Sequence, residues 1–169
     1  MKYVFQREQL GIAHGVKIAS GLLNDDFFMC LSDELLVKAQ IKQLKKFFYE
    51  RKADCVCGVV HDNPENIKKA YTLNLNEENI ILNVMEKPEK EYNSFKGTGY
   101  CMMSVSMLEC LSSLAPNRKR NEYEMGDWIN LAVNRKMKCL AYEIATEDYN
   151  INEQCDLASA KKNLSKSEV

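Results

Sequence analysis

With 169 residues, the chain is long enough for one domain that buries roughly two-thirds of the surface of its unfolded state. Its 23 basic and 24 acidic residues leave a formal net charge of -1, which argues against a nucleic-acid-binding protein. No apolar run approaches the ~20 residues of a membrane span, and the opening residues lack the apolar core of a signal peptide. A cytosolic protein with no membrane segment is therefore expected.

The first predicted elements are a strand, a helix, a strand and a long helix. Residues 2–5 look like a strand that has nothing before it to lie against. Residues 10–22 have apolar side chains at mixed helical spacing and predict a helix, although glycine weakens it. Residues 27–31 form an apolar run of the length of a buried strand. The amphipathic pattern of residues 34–51 predicts one long helix.

The middle of the chain predicts two more strands around a β-hairpin. Residues 54–60 read as another buried strand. Apolar and polar residues alternate from Tyr71 to Leu75, residues 76–79 favour a turn, and residues 80–85 return as a strand. This pattern is typical of a hairpin with a four-residue loop. Residues 99–105 predict a further strand.

The last predicted elements are three helices and one strand. A short helix is expected at 107–114, an amphipathic helix at 122–134, a strand at 138–144 and a final helix at 156–164. The strand–helix–strand order at the start predicts a doubly wound, mostly parallel α/β sheet, to which the hairpin adds antiparallel strands. We expect one domain over residues 1–164, followed by a frayed tail at 165–169.

The seven cysteines are expected to be buried free thiols in a reducing compartment. Their number is odd, and most of them lie inside apolar runs. Cys55 and Cys57 are the one close pair, and on a strand they share a face. No second pair or suitably spaced histidine completes a zinc site, and no cysteine is expected to be catalytic.

Two segments near the start carry polar groups at the ends of predicted elements. The first is Gln6-Arg7-Glu8-Gln9-Leu10-Gly11-Ile12-Ala13-His14, although a glycine between a strand and a helix is also a common connector. The second ends in Ser32-Asp33, just past a predicted strand. A carboxylate at the carboxyl end of a buried parallel strand lies where α/β sheets bind ligands. Alternatively, Ser32-Asp33 only caps the helix that follows.

Two later segments also combine charged, small and amide side chains. Glu86-Lys87-Pro88 follows the predicted hairpin and precedes Gly97-Thr98-Gly99-Tyr100. By itself the first of these is also consistent with a charged surface turn, because proline stops strands. Tyr149-Asn150-Ile151-Asn152 precedes the last helix, with Asp156-Leu157 behind it. The alternative for this segment is a tight polar turn.

Taken in order, these four segments resemble those of the sugar-1-phosphate nucleotidyltransferases, also called NDP-sugar pyrophosphorylases. The first is similar to Q-x-x-x-LGTAHA, and the second to L-x-GD with Ser32 in place of the glycine. The third is similar to VEKP followed by N/T-x-G-x-Y/F. The fourth is similar to W-x-DIGTPEDL with Asn150 in place of the aspartate. The resemblance covers nearly the whole chain and is strongest to glucose-1-phosphate-type transferases of archaea and bacteria.

The resemblance implies a set of substrate contacts. Gln6 and the Gly11 backbone would read the base of an NTP. Glu86 would bind sugar hydroxyls, Lys87 would meet the sugar phosphate as a catalytic cation, and the small Gly99 would let the sugar lie close to the backbone. The substrates implied are therefore an NTP and a sugar 1-phosphate.

The resemblance also implies a Mg²⁺ ion. Asp33 matches the family's first metal ligand and is the main catalytic candidate. The second ligand would be Asn150, which stands where many relatives have an aspartate, or Asn152, which matches an asparagine that some relatives use. A neutral amide oxygen can still coordinate Mg²⁺, although more weakly than a carboxylate.

The family begins with a G-x-G-x-R-x-x-P-x-T-x-x-x-P-K stretch that this sequence does not contain. The expected fold is therefore a truncated Rossmann-like nucleotide-diphospho-sugar transferase fold with an exposed apolar sheet edge. The N-terminal half would be absent from this sequence or lie on another chain, and a homo-oligomer is a further possibility.

Two functions remain open, and a third is weaker. The first is nucleotidyl transfer to a sugar 1-phosphate, as part of a longer or complemented enzyme. The second is a non-catalytic remnant or binding module that keeps a sugar-phosphate site or a protein interface. The third is glycosyl transfer, for which Ser32-Asp33-Glu34 is a poor D-x-D motif.

Overall fold

A four-stranded mixed sheet lies at the centre of the computed structural model, which describes residues 1–118 and 120–164. In chain order the elements are α1 (Ile12–Ala19), β1 (Phe27–Met29), β2 (Glu34–Val37), α2 (Ile41–Arg51), β3 (Cys55–His61), α3 (Pro64–Ile67), β4 (Tyr71–Leu75), β5 (Ile81–Glu86), β6 (Phe95–Met103), α4 (Ser106–Ser112), α5 (Met125–Asn134), β7 (Cys139–Glu143), β8 (Glu147–Asn150) and α6 (Gln154–Leu164). A short 3₁₀ turn, Ser20–Leu22, follows α1.

The central sheet has the strand order β1-β6-β3-β7. Strand β6 is antiparallel to both of its neighbours, and β3 is parallel to β7. Strands β1, β3 and β7 therefore run in the same direction, and their carboxyl ends meet at one edge of the sheet. This arrangement confirms the α/β fold with a mostly parallel core. The carboxyl edge is also where open α/β sheets bind their ligands.

Strand β3 separates two apolar clusters. Cys55, Cys57 and Val59 face a cluster that includes residues of α1, α4 and α5, whereas Val56 and Val60 face a cluster that includes residues of α2. Because side chains alternate along a strand, one buried strand supplies both layers. The continuous apolar run in this part of the sequence is explained by burial on both faces.

The predicted hairpin is present as β4 and β5, which pair with Tyr71 opposite Glu86. Helix α5 packs on it, and the Asn130 amide bridges the Val84 backbone by accepting from its N–H (2.7 Å) and donating to its C=O (2.8 Å). Ile80 then joins the hairpin to Leu140 on β7 through an antiparallel bridge. The hairpin thus belongs to the same packed body as the central sheet.

The long helix predicted over residues 34–51 is wrong in its first part. Glu34–Val37 form β2, which pairs antiparallel with β8, and α2 begins only at Ile41. Lys38 has a φ of 54°, a left-handed conformation that interrupts a helix. The Gln40 N–H donates to the Ile144 carbonyl at 2.7 Å. Backbone hydrogen bonds to a distant segment therefore replace the local helical ones. We call the β2–β8 pair the ribbon.

The other differences concern short or terminal segments. The strand predicted at residues 2–5 does not form, and Tyr3 and Phe5 are 83% and 82% exposed. No strand among the described residues lies beside that segment to accept its hydrogen bonds. The sequence did not predict α3 or β8. The tail at 165–169 lies outside the described residues.

Two predictions about residue environments can also be compared with the structure. Five cysteines are buried free thiols, and Cys30 and Cys155 are exposed free thiols. In the part of the chain that the structure describes, no helix has both the length and the apolarity to cross a membrane.

Candidate active site

The ribbon brings Asp33 next to the segment from Asn150 to Asn152. Glu34, directly after Asp33, pairs with Asn150 in the strand register. The Ile151 N–H donates to the Asp33 carbonyl at 2.6 Å. The side chains of Asp33, Asn150 and Asn152 are all exposed. Three residues proposed as metal ligands from the sequence therefore come from two segments that the fold joins.

Asp156 holds the backbone of the loop that carries Asn152. One carboxylate oxygen of Asp156 accepts from the Asn152 N–H at 3.0 Å and from the Glu153 N–H at 2.9 Å. This cap stabilises the start of α6. The backbone of this segment therefore forms the polar turn that the sequence allowed as an alternative. The side chains of Asn150 and Asn152 take no part in the cap.

Glu34 is a candidate site residue that the sequence did not reveal. Its carboxylate accepts the Gly99 N–H at 2.7 Å, and its carbonyl accepts the Tyr100 hydroxyl at 2.9 Å. Burial raises the pKa of Glu34 to about 7 against the opposing Gly99 hydrogen bond, and Asp148 and Asp33 add to the rise. Assigning Glu34 to a helix start concealed this role, because the contacts depend on the ribbon.

Lys96 is a second residue that the sequence did not indicate. Its ammonium lies 2.6 Å from Asp62 and 2.5 Å from Asp148, and the residue is only 7% exposed. Burial lowers the pKa of Lys96, but hydrogen bonds to the two aspartates outweigh burial and raise it overall. The one available signal was a lysine directly before the Gly97-Thr98-Gly99-Tyr100 segment.

Glu34 and Lys96 both line a cavity of about 310 Å³ at the carboxyl edge of the sheet. Its walls include Glu34, Asn66, Lys69, Lys96, Asp148 and Asn152. Asp62 follows β3, and Asp148 lies on β8, which follows β7. The edge therefore concentrates negative charge around a single buried ammonium.

A larger cavity of about 720 Å³ is lined by Gln6, Gly11, Cys30 and Asp33 among others. Gly11 has a φ of 97°, and a Cβ there would lie 2.6 Å from the Tyr123 carbonyl. Only glycine fits this turn. The Gln6 amide donates to the Gly11 carbonyl at 3.2 Å and lies 3.0 Å from His14 Nδ1. The predicted base-reading residues thus share a cavity with the predicted metal ligand.

Glu86 lies in a third cavity, of about 450 Å³, beside the start of α5. Its carboxylate accepts the Gly126 N–H at 2.9 Å. Burial raises the pKa of Glu86 to about 7; the Gly126 hydrogen bond opposes the rise, Glu124 adds to it and Arg120 opposes it. A carboxyl group with this environment can both donate and accept hydrogen bonds near neutral pH.

Lys87 and Gly99, the other residues predicted to contact the sugar phosphate, lie in different environments from Glu86. Lys87 is exposed at a φ of 43°, and its N–H donates to the Ala70 carbonyl at 2.7 Å. Gly99 is buried, and a Cβ there would lie 2.3 Å from Leu31. The small size of Gly99 is thus required by Leu31, whether or not a ligand approaches.

Comparison with known proteins identifies the family. The model of the family described as "Nucleotidyl transferase" matches residues 1–149. The chain belongs to this family. The bifunctional protein GlmU of Methanococcus maripaludis strain C5 is 29% identical over 129 residues, which cover 75% of this chain and 29% of that protein. The UTP–glucose-1-phosphate uridylyltransferase AglF of Haloferax volcanii is 26% identical over 131 residues, covering 78% of this chain and 53% of AglF.

Solved structures agree with the fold. A UDP-glucose pyrophosphorylase in complex with UDP-glucose superposes with a TM-score of 0.85 at 20% identity, over 98% of this chain and 66% of that one. This chain thus spans only part of the length of the relatives that it matches.

The metal ligands that the described residues of this chain offer are few. Among residues 1–118 and 120–164, no three His, Cys, Asp or Glu side chains converge to hold a metal ion. Mg²⁺ often binds through one or two protein oxygen ligands and completes its shell with water and substrate phosphates. Asp33 and an amide oxygen of Asn150 or Asn152 fit that requirement, because the Asp33–Ile151 hydrogen bond holds their backbones together.

Proposed function

We propose that this chain carries the sugar-phosphate-binding and metal-binding part of an enzyme that transfers a nucleotidyl group from an NTP to a sugar 1-phosphate. The products are an NDP-sugar and pyrophosphate. A phosphate oxygen of the sugar 1-phosphate forms a bond to the α-phosphorus of the NTP. The bond from that phosphorus to the oxygen that bridges the α- and β-phosphates breaks, and pyrophosphate leaves. The chain would act as part of a longer or complemented enzyme, since it spans 29% of GlmU and 53% of AglF.

The observation that carries this proposal is the junction of Asp33 with residues 150–152 at the carboxyl edge of the sheet. The 2.6 Å hydrogen bond from Ile151 to Asp33 fixes this junction between two cavities. An ion held at the junction would lie between the cavity with Gln6 and Gly11 and the cavity with Asn152. Catalysis of this kind consists mainly of positioning and charge stabilisation, because the attacking phosphate is already an anion.

The resemblance to the family supplies a role for each remaining residue. The Gln6 amide and the Gly11 backbone would bind the base, Glu86 would bind sugar hydroxyls, and Lys87 would attract the sugar phosphate. By the same resemblance the Gly99 backbone would lie beneath the sugar, while Leu31 fills the space that a Cβ at Gly99 would occupy. Lys87 is exposed and makes no ion pair with any described residue, so its charge is available to an incoming phosphate.

The metal would be Mg²⁺, held by Asp33 together with Asn150 or Asn152. When bound, it would neutralise phosphate charge as the leaving pyrophosphate forms. UTP and glucose 1-phosphate are the first substrates to try, since they are the substrates named for AglF. We place the reaction in the cytosol, a location supported by the five buried free thiols.

Pyrophosphate release tests the proposal. The chain is assayed alone and mixed with a polypeptide that carries the family's G-x-G-x-R stretch, using UTP with glucose 1-phosphate and then the other NTPs. We expect release in the mixture, and we expect Asp33→Asn to abolish it. The matched control is Asp25→Asn, an exposed acidic residue before β1, which should leave the rate unchanged. Unchanged turnover in Asp33→Asn would contradict the assignment.

The second candidate function is a binding module without turnover. It is favoured by the neutral amides at positions 150 and 152, which hold Mg²⁺ less strongly than carboxylates. Saturable binding of glucose 1-phosphate with no pyrophosphate release, in either preparation, would support this function over the first.

A further inference from the structure

The ribbon is a two-stranded sheet that carries both halves of the proposed metal site. Asp33 directly precedes β2, and Asn150 ends β8. An isolated two-stranded pair is marginally stable in water, so the ribbon needs other contacts to hold its position. A displacement of about 1 Å is enough to weaken a metal site or reduce catalysis strongly.

Strand β2 is held to β6 by uncharged and charged hydrogen bonds. The Glu34 carboxylate accepts the Gly99 N–H, and the Glu34 carbonyl accepts the Tyr100 hydroxyl. The Leu31 N–H, shortly before β2, donates to the Gly99 carbonyl at 3.2 Å. The Asp33 side of the metal site therefore has three connections to the central sheet.

Besides its pairing with β2, strand β8 has a connection of its own to the central sheet. The side chain of Asp148 is only 2% exposed, and its Oδ1 lies 2.5 Å from the Lys96 ammonium. Apart from this ion pair, Oδ1 has no hydrogen-bond partner among the described residues. Lys96 itself is anchored on β6 and paired with Asp62 after β3. One buried ammonium thus links β8 to two strands of the central sheet.

We infer that Lys96 is a positioning residue: by pairing with Asp148 it holds β8, and with it Asn150 and Asn152, opposite Asp33. The link to the metal rests on the proposed function. The claim that Lys96 holds β8 in place rests on the ion pairs alone. Removing one partner of a buried pair leaves an uncompensated charge, which is costly. Solvation of the freed Asp148 would pull β8 away from the sheet.

The experiment compares Lys96→Met with wild type in the full chain, using two measurements. The first is amide hydrogen exchange, in which we expect the amides of residues 147–151 to exchange roughly tenfold faster or more while the hairpin amides stay protected. The second is Mn²⁺ binding followed by electron paramagnetic resonance. We expect about 10–100-fold weaker binding, the usual effect of losing a group that orients metal ligands.

Three further variants make the result specific. Lys90→Met removes an exposed lysine that lies outside this cavity and makes no ion pair with a described residue, and it should change neither measurement. Lys96→Arg, which keeps the charge, should restore most of the protection. If Lys96→Met does not fold, Asp148→Asn tests the same link, because it keeps the shape of the side chain and leaves Lys96 paired with Asp62.

The outcomes separate this inference from the proposed function. Unchanged exchange at residues 147–151 in folded Lys96→Met or Asp148→Asn overturns the inference, whatever the metal does. Faster exchange with weaker Mn²⁺ binding supports it. Faster exchange in a protein whose wild type binds no Mn²⁺ supports the role of Lys96 in holding β8 and overturns the proposed metal site.

Discussion

The hairpin and the ribbon are both two-stranded, yet they are held in opposite ways. The hairpin joins neighbouring segments of the chain and packs apolar side chains such as Leu73 and Ile81 into the core. The ribbon joins segments that are far apart in the sequence and is connected to the sheet by Glu34, Tyr100 and Lys96. The hairpin therefore contributes stability through burial, whereas the ribbon contributes a defined position for polar groups.

Truncating a core residue of the hairpin should have the largest effect on stability. Leu73 is fully buried, so Leu73→Ala should lower the free energy of unfolding by about 2–5 kcal/mol through lost burial and a cavity. Urea denaturation measures the change. The matched control is Leu82→Ala on the same hairpin, where Leu82 is 51% exposed, and we expect a change within about 0.5 kcal/mol. Equal losses in the two variants would contradict the account of the hairpin.

The end of the hairpin should make stability depend on pH. Burial raises the pKa of Glu86 from 4.5 to about 7, so this group stabilises the fold fully below pH 4.5 and the contribution is lost as pH rises to 7. Glu86→Gln should therefore reduce the fall in unfolding free energy between pH 4.5 and pH 7.5 by about 1–3 kcal/mol. The control is Glu89→Gln, an exposed neighbour. Parallel pH curves for wild type and Glu86→Gln would show that the carboxyl group is not perturbed.

A single hydrogen bond of the ribbon should have the smallest effect on stability. Tyr100→Phe removes the hydroxyl that donates to the Glu34 carbonyl, and we expect a loss of about 0.5–1.5 kcal/mol. Tyr142→Phe is the control, because its hydroxyl makes a longer, exposed 3.3 Å contact with Gln40. A loss in Tyr100→Phe as large as in Leu73→Ala would mean that the ribbon also carries the stability of the fold.

The same contrast explains what the sequence could predict. The alternation of Tyr71, Leu73 and Leu75 followed by a polar turn is local information, and the structure confirms the hairpin that it predicts. The strand at Glu34–Val37 forms because β8 supplies its hydrogen bonds, and no local pattern records that partner. An amphipathic sequence of this kind is compatible with a helix, so the prediction failed where a distant contact overrides local preference.

The candidate site likewise contains residues that the sequence indicated and residues that it did not. Asp33, Glu86 and the two asparagines were proposed from the sequence because they belong to segments that resemble those of a family. Glu34 and Lys96 were not found, since their significance lies in contacts with Gly99 and Asp148 that exist only after folding. Residues proposed to bind ligands were recognised through sequence motifs, whereas residues proposed to position them are visible only through their contacts in the structure.

Mn²⁺ binding to wild type and Asp33→Asn is the most direct test of the central claim, that Asp33 and the 150–152 segment form a metal site. Electron paramagnetic resonance of the full chain gives the dissociation constants, with Asp25→Asn as the control. The account predicts binding by wild type and by the control, and binding about tenfold weaker or more in Asp33→Asn, because a charged oxygen ligand is lost. Equal dissociation constants in wild type and Asp33→Asn would contradict it.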